Sequence, residues 1–233
     1  METNMLSLLL NGNFTFEALI ADVLAVLLII FLVLPFHEWA HAQTAYLLGD
    51  KGIKARGRLS FNPLRHIDPI GALLMILIGF GWARPVPVDS RYFKNPKVGM
   101  AITALMGPVA NLVAAIAGLI VCWGVIYIAP YNFLESAFCD FLFQFFSFYI
   151  IVNINLAVFN LIPIPPLDGS KILFAFLPDR AVEFFYKYQM AFFVVLFILI
   201  SYGPLSGVLS TISDVIFGLL SALIELPFKL IFG

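Results

Sequence analysis

Long apolar runs separated by short polar loops constrain this 233-residue chain more than any other feature. Five of them approach or exceed the roughly 20 helical residues that a bilayer core requires. They cover residues 18–48, 100–129, 141–162, 184–202 and 205–226. Hydrophobic residues make up 62% of the chain and charged residues 12%. A soluble domain carries about 45–50% and about 25%. An ordinary soluble domain, a disordered chain and a collagen-like repeat are therefore excluded. With 13 basic and 14 acidic residues the net charge is -1, so no basic field exists to hold nucleic acid. The reading is an all-α polytopic membrane protein, one domain over residues 1–233, with about five transmembrane helices embedded in the lipid bilayer. Two cysteines, Cys122 and Cys139, do not make a disulfide framework.

The loops orient the chain. Gly49 to Pro69 holds Lys51, Lys54, Arg56, Arg58 and Arg65, and Ala83 to Val98 holds Arg84, Arg91, Lys94 and Lys97. Nine of the 13 basic residues thus lie in two loops, which the positive-inside rule places in the cytoplasm. The run between them, Ile70 to Trp82, then does not cross. It is also short for a span and suits a re-entrant or interfacial segment. Lys171, Arg180, Lys187 and Lys229 fall on the same side if the N-terminus is outside. That N-terminus lacks the basic start of a cleavable signal, and its apolar run Leu6 to Leu10 is too brief to span. Gly203 and Pro204 separate the last two helices. The localisation expected is the cell membrane, multi-pass.

Chemistry concentrates near the inner end of the first helix, at His37-Glu38-Trp39-Ala40-His41. Residues four apart share a helix face, so both imidazoles can reach one metal. Zinc accepts imidazole nitrogen, and a catalytic site keeps a position for water. Glu38 is placed to take a proton from that water. Two histidines satisfied in a packed core is the competing reading. Against it, three ionisable residues within five positions of a span are costly without a function.

A third protein ligand is required. His66, Asp68 and Asp168 are the candidates that residue chemistry leaves open. Asp168 lies in the segment Asn160-Leu161-Ile162-Pro163-Ile164-Pro165-Pro166-Leu167-Asp168-Gly169. It comes after the third helix as that helix returns to the inner side. The prolines end the helix and stiffen the extended stretch beyond it, and Gly169 permits a turn after the carboxylate.

The chain resembles the site-2 protease family of intramembrane zinc metalloproteases. The matching segments are His37 to His41, Asn160 to Gly169, and Gly107-Pro108-Val109-Ala110-Asn111. His66 to Gly71 and Gly81 to Val88 also look like the family. Together they cover roughly residues 30–175. The resemblance implies a single zinc ion bound by His37, His41 and Asp168, with Glu38 catalytic. It also implies a catalytic core over about residues 17–175, with accessory helices over about 181–233. Larger members carry an inserted regulatory domain, and the expectation here is a compact form without one.

The function expected is hydrolysis of peptide bonds in transmembrane substrates near the cytoplasmic side. Glu38 accepts a proton from water and returns one to the leaving nitrogen. Asn160, Asn111 and His66 are further candidates for holding substrate or an oxyanion, although amides in membrane helices also serve helix–helix hydrogen bonding. A helical substrate must unwind before attack. It could then add as a strand along Arg56 to Phe61 or Arg84 to Val88, expected to be extended. Ion or metal transport, and a noncatalytic adaptor of the same fold, are the competing functions.

Overall fold

The structure is a computed structural model and describes residues 24, 26–78, 81–201 and 203–232. The Leu6 to Leu10 run and the expected beginning of the first helix lie outside the described residues. The chain divides into two compact units, Met1–Gly99 and Met100–Gly233. No strand occurs among the described residues, and one isolated antiparallel bridge joins Ile67 and Ala83. Among the described residues four helices are long and apolar enough to cross a membrane, and a bent pair makes up to five if it counts as one span. The protein is therefore an all-α, multi-pass membrane protein.

In the first unit, α1 (Val26–Leu48) is the spanning helix. A π-helical stretch, Ile29–Val33, interrupts it just ahead of Pro35. Proline has no N–H and its ring crowds the preceding turn, so a locally widened turn accommodates it. At the other end Gly49 adopts φ +129°. The Gly49 N–H donates to Tyr46 O and the Asp50 N–H to Ala45 O, the paired bonds of a Schellman stop. A one-turn helix, α2 (Gly52–Ala55), comes next.

The short apolar run forms α3 (Pro69–Ile78), ten residues and about 15 Å long. Asp68 caps it, Oδ1 accepting from Ile70 N at 3.0 Å and Gly71 N at 2.9 Å. The chain then doubles back. A Cβ on Gly71 would stand 2.2 Å from Trp82 O, and one on Gly81 would stand 2.0 Å from Gly71 O. Arg84 N donates to His66 O at 2.7 Å beside the Ile67–Ala83 bridge. The two ends of the segment are neighbours, which a membrane-crossing segment does not allow. This is the geometry of a re-entrant hairpin, sealed by backbone contact that only glycines permit.

Helix α4 (Pro96–Ile128), which belongs to the second unit from Met100 onward, begins at a proline in its first position, with Asn95 Oδ1 accepting from Val98 N. After α5 (Tyr131–Leu134), α6 (Ala137–Asn160) is capped by Ser136, whose Oγ accepts from Cys139 N. Both start a few residues before the expected positions because the caps lie upstream of the apolar runs. Helices α7 (Asp168–Phe174), α8 (Asp179–Lys187), α9 (Gln189–Ser201) and α10 (Pro204–Phe232) complete the unit. Its core is built from Ala115, Leu119, Ile150, Ile154 and Val158, with Leu209, Ile216 and Leu220 of α10 packed on it.

The fourth expected helix, 184–202, is not continuous. It begins earlier and bends by 66° between α8 and α9. The physical reason is a change in helix character. α8 alternates Arg180, Glu183 and Lys187 with Val182 and Phe185, whereas α9 is apolar on every side. The first suits an interface and the second a bilayer interior. Gly203 at φ +96° then turns the chain into α10.

Candidate active site

His37 and His41 lie one helical turn apart in α1 and are 4% and 6% exposed. Their Nε2 atoms face each other at 3.0 Å, with the rings nearly perpendicular. Two nitrogens on one tetrahedral zinc, each about 2.0–2.1 Å from it, stand about 3.3 Å apart. The imidazole pair thus fits a zinc ion within a few tenths of an ångström. Each of the two imidazoles offers one ligand atom to such an ion.

Glu38 points elsewhere. Its Oε2 accepts a hydrogen bond from Val86 N at 3.0 Å, across 48 residues of sequence. The Arg84 to Val88 segment is non-helical, as expected, but its backbone is largely engaged by the chain itself. Arg58 donates to the carbonyls of Arg65, Arg84 and Pro85. Arg56 donates to Pro87 O at 3.0 Å and to Asp50 Oδ2 at 2.7 Å. Asp50 is fully buried, and its Oδ2 also accepts from Asp89 N. Burial pushes the Arg58 guanidinium below its ordinary pKa while the Glu38 carboxylate pulls it back up. An arginine stays charged under such a shift.

Asp168 opens α7 and is 6% exposed, with Lys171 Nζ 2.9 Å from its Oδ1. Gly169 does not serve the turn expected of it. It is helical, and a Cβ there would stand 2.2 Å from Leu161 O and 2.5 Å from Ile162 O. Glycine is needed because α7 starts against the carbonyls at the end of α6. Replacing Gly169 with Ala is expected to destabilise the protein by about 1–3 kcal/mol through overpacking and to displace Asp168. Thermal unfolding and zinc content of the purified variant check both effects, and an unchanged pair of values would contradict this packing role.

The remaining candidates behave differently. His66 lies in a basic loop, where solvation is the ordinary expectation, yet it is 1% exposed. Its Nε2 is bonded to Ser60 O at 2.7 Å, and burial lowers its pKa. It also lines a cavity of about 10 Å³ with Ile30, Leu34, Met75 and Trp82, room for one water molecule. Asn160 donates to Leu156 O in its own helix at 2.9 Å. Asn111 is fully buried, and neither of its amide atoms has a partner among the described residues. The sequence reading missed Asp50, the double role of Arg56, and the Arg58 and Val86 contacts. Arg56 and Arg58 counted there as loop charges and as part of the Arg56 to Phe61 segment expected to be extended, whereas the structure puts Arg56 in the helical region and Gly57 at φ +68°, and no spacing rule links the two arginines to Glu38.

The signature of Peptidase family M50 matches residues 122–201. YwhC of Bacillus subtilis (strain 168), provisionally named a zinc metalloprotease, is 44% identical over 149 residues. That match covers 63% of this chain and 67% of YwhC. Rip2 of Mycolicibacterium smegmatis, named in the same way, is 30% identical over 72% of this chain and 63% of its own length. Rip2 of Mycobacterium tuberculosis (strain H37Rv) is 27% identical over 71% and 63%. No solved structure matches the chain with statistical significance. The imidazole pair on α1 and the shared sequence lead to one assignment: the chain belongs to peptidase family M50, the site-2 protease family of zinc metalloproteases.

Proposed function

We propose that this protein hydrolyses peptide bonds of membrane-spanning substrate segments, close to the cytoplasmic face. The observation that carries the reading is the position of His37, Glu38 and His41 inside α1, a helix apolar and long enough to span. His41 and His37 lie seven and eleven residues before Leu48, or about 10 and 16 Å inside the end of the helix. A peptide bond must come to that depth to be cut. The basic loops that come after α1 favour a cytoplasmic location for this end.

His37, His41 and Asp168 would bind the zinc ion. When bound, zinc acidifies water and polarises a carbonyl. Glu38 accepts the proton from the attacking water, its Oε2 steadied by the Val86 N–H, and passes a proton to the leaving nitrogen. Asn111 brings a buried amide with unused donors, which supports a role in holding substrate. The carbonyls of Arg84, Pro85 and Pro87 are taken by arginines. Substrate pairing along that segment would therefore have to use its other backbone groups.

The test is proteolysis by the purified protein in liposomes, with a single-span peptide and a soluble peptide of the same central sequence. Mass spectrometry locates the cut. The expected result is cleavage of the embedded peptide within its apolar stretch, toward the face nearest Leu48. Cleavage confined to the soluble peptide would overturn the intramembrane reading.

A further inference from the structure

We propose that Arg58 is a positioning residue for Glu38, acting through the single peptide unit that joins Pro85 and Val86. The inference rests on the proteolytic reading above. The Pro85 carbonyl accepts from Arg58 Nη2 at 2.7 Å, and the Val86 N–H donates to Glu38 Oε2 at 3.0 Å. Carbonyl and N–H belong to the same amide plane. A cation at its oxygen end and an anion at its nitrogen end both align with the peptide dipole, and each bond strengthens the other. Arg58 is 8% exposed, so water does little to screen this chain of charges.

The local sequence concentrates the effect on one amide. Pro85 and Pro87 have no N–H, so Val86 carries the only backbone donor between Arg84 and Val88. Proline fixes its own φ, and the residue before a proline is confined to extended backbone. Val86 is therefore held from both sides. Arg58 adds the tertiary anchor, because its fork also reaches the Arg84 and Arg65 carbonyls. A lysine has the charge but not a rigid fork that grips several carbonyls at once. With Oε2 occupied, Glu38 presents its other oxygen for proton transfer.

The full chain, purified and zinc-loaded, is compared with Arg58→Ala, Arg58→Lys, Glu38→Gln, Glu38→Ala and, as a charge control, Lys54→Gln. Lys54 is an exposed cation of the same loop. Turnover is measured on a fluorogenic single-span peptide, zinc by elemental analysis, and the Val86 amide by hydrogen exchange. Arg58→Ala is expected to lower kcat at least about 10-fold, since misplacing a catalytic group by about 1 Å can cost about 10²-fold. Its KM stays within about 3-fold and zinc stays at about one per chain, because binding groups are untouched. Arg58→Lys falls between, and Lys54→Gln behaves as wild type. Added guanidinium restores part of the turnover of Arg58→Ala and none of Glu38→Gln.

Val86 exchange reports independently of cleavage. It is expected to be slow in the wild type and about 10-fold faster in both Arg58→Ala and Glu38→Ala. Unchanged kcat in Arg58→Ala overturns the proposal, as does loss of zinc in step with kcat, which marks a merely structural role. If the wild type cleaves nothing, or Glu38→Gln cleaves as well as it, the proteolytic reading fails separately. Val86 exchange then decides the Arg58–Val86–Glu38 link, and unaltered protection in the two alanine variants overturns it.

Discussion

Glu38→Gln is expected to reduce peptide-bond hydrolysis by about 10²–10⁴-fold, the range a positioned general base contributes, while zinc remains at one ion per chain. The two effects separate because Glu38 and the imidazoles face different partners. His37 and His41 meet through their Nε2 atoms, whereas Glu38 is turned to the Val86 amide. Glutamine keeps the side-chain length and can still accept the Val86 hydrogen bond through its amide oxygen. It lacks an oxygen able to take a proton at neutral pH. Turnover with the single-span peptide and elemental analysis of the same preparation check the prediction. Retained cleavage would remove Glu38 from the chemistry, and joint loss of zinc and activity would make it a structural residue instead.

The second large effect concerns the ligands. Asp168→Ala and His41→Ala are expected to lose zinc outright, with unfolding at lower temperature in each case. Loss of an outer hydrogen-bond partner of a zinc ligand typically costs about 10–100-fold in affinity, and loss of a ligand costs more. His66→Gln and Asp68→Asn are the informative controls, since chemistry alone leaves either residue eligible as the third ligand. In the structure each commits one side-chain atom to other work. His66 Nε2 meets the Ser60 carbonyl, and Asp68 Oδ1 caps α3 through two backbone N–H groups. Both variants are expected to keep one zinc per chain. Zinc retained by Asp168→Ala but lost from His66→Gln would reverse the assignment.

Much of this protein was legible from residue order because the governing interactions are local. Apolar length marks a span, and its ends are set by caps such as Asn95 and Ser136 that act within one turn. The re-entrant segment was visible from charge on both flanks, and the structure supplied the mechanism, with Gly71 and Gly81 letting the backbone close on itself. The bend between α8 and α9 was harder to see. Residues 184–202 read as one apolar run, and the amphipathic character becomes visible only when the window starts at Asp179. Gly169 shows a different limit. Its sequence context suggests a turn, but a clash with the carbonyls of Leu161 and Ile162 is what excludes a side chain.

Residue order alone specifies a multi-pass helical membrane protein and sets two histidines and a glutamate in one turn of a span. A repeat of 3.6 residues per turn puts positions 37 and 41 on one face whatever the rest of the chain does. The partner that each polar residue faces is settled in three dimensions instead. Glu38 meets an amide 48 residues away, Arg58 grips carbonyls 26 and 27 residues away, and His66 is buried in a loop that looks solvated. Such pairings arise from how a re-entrant hairpin folds back against the helix before it. No periodicity encodes that return, so the surroundings of Glu38 emerge only once the chain has folded.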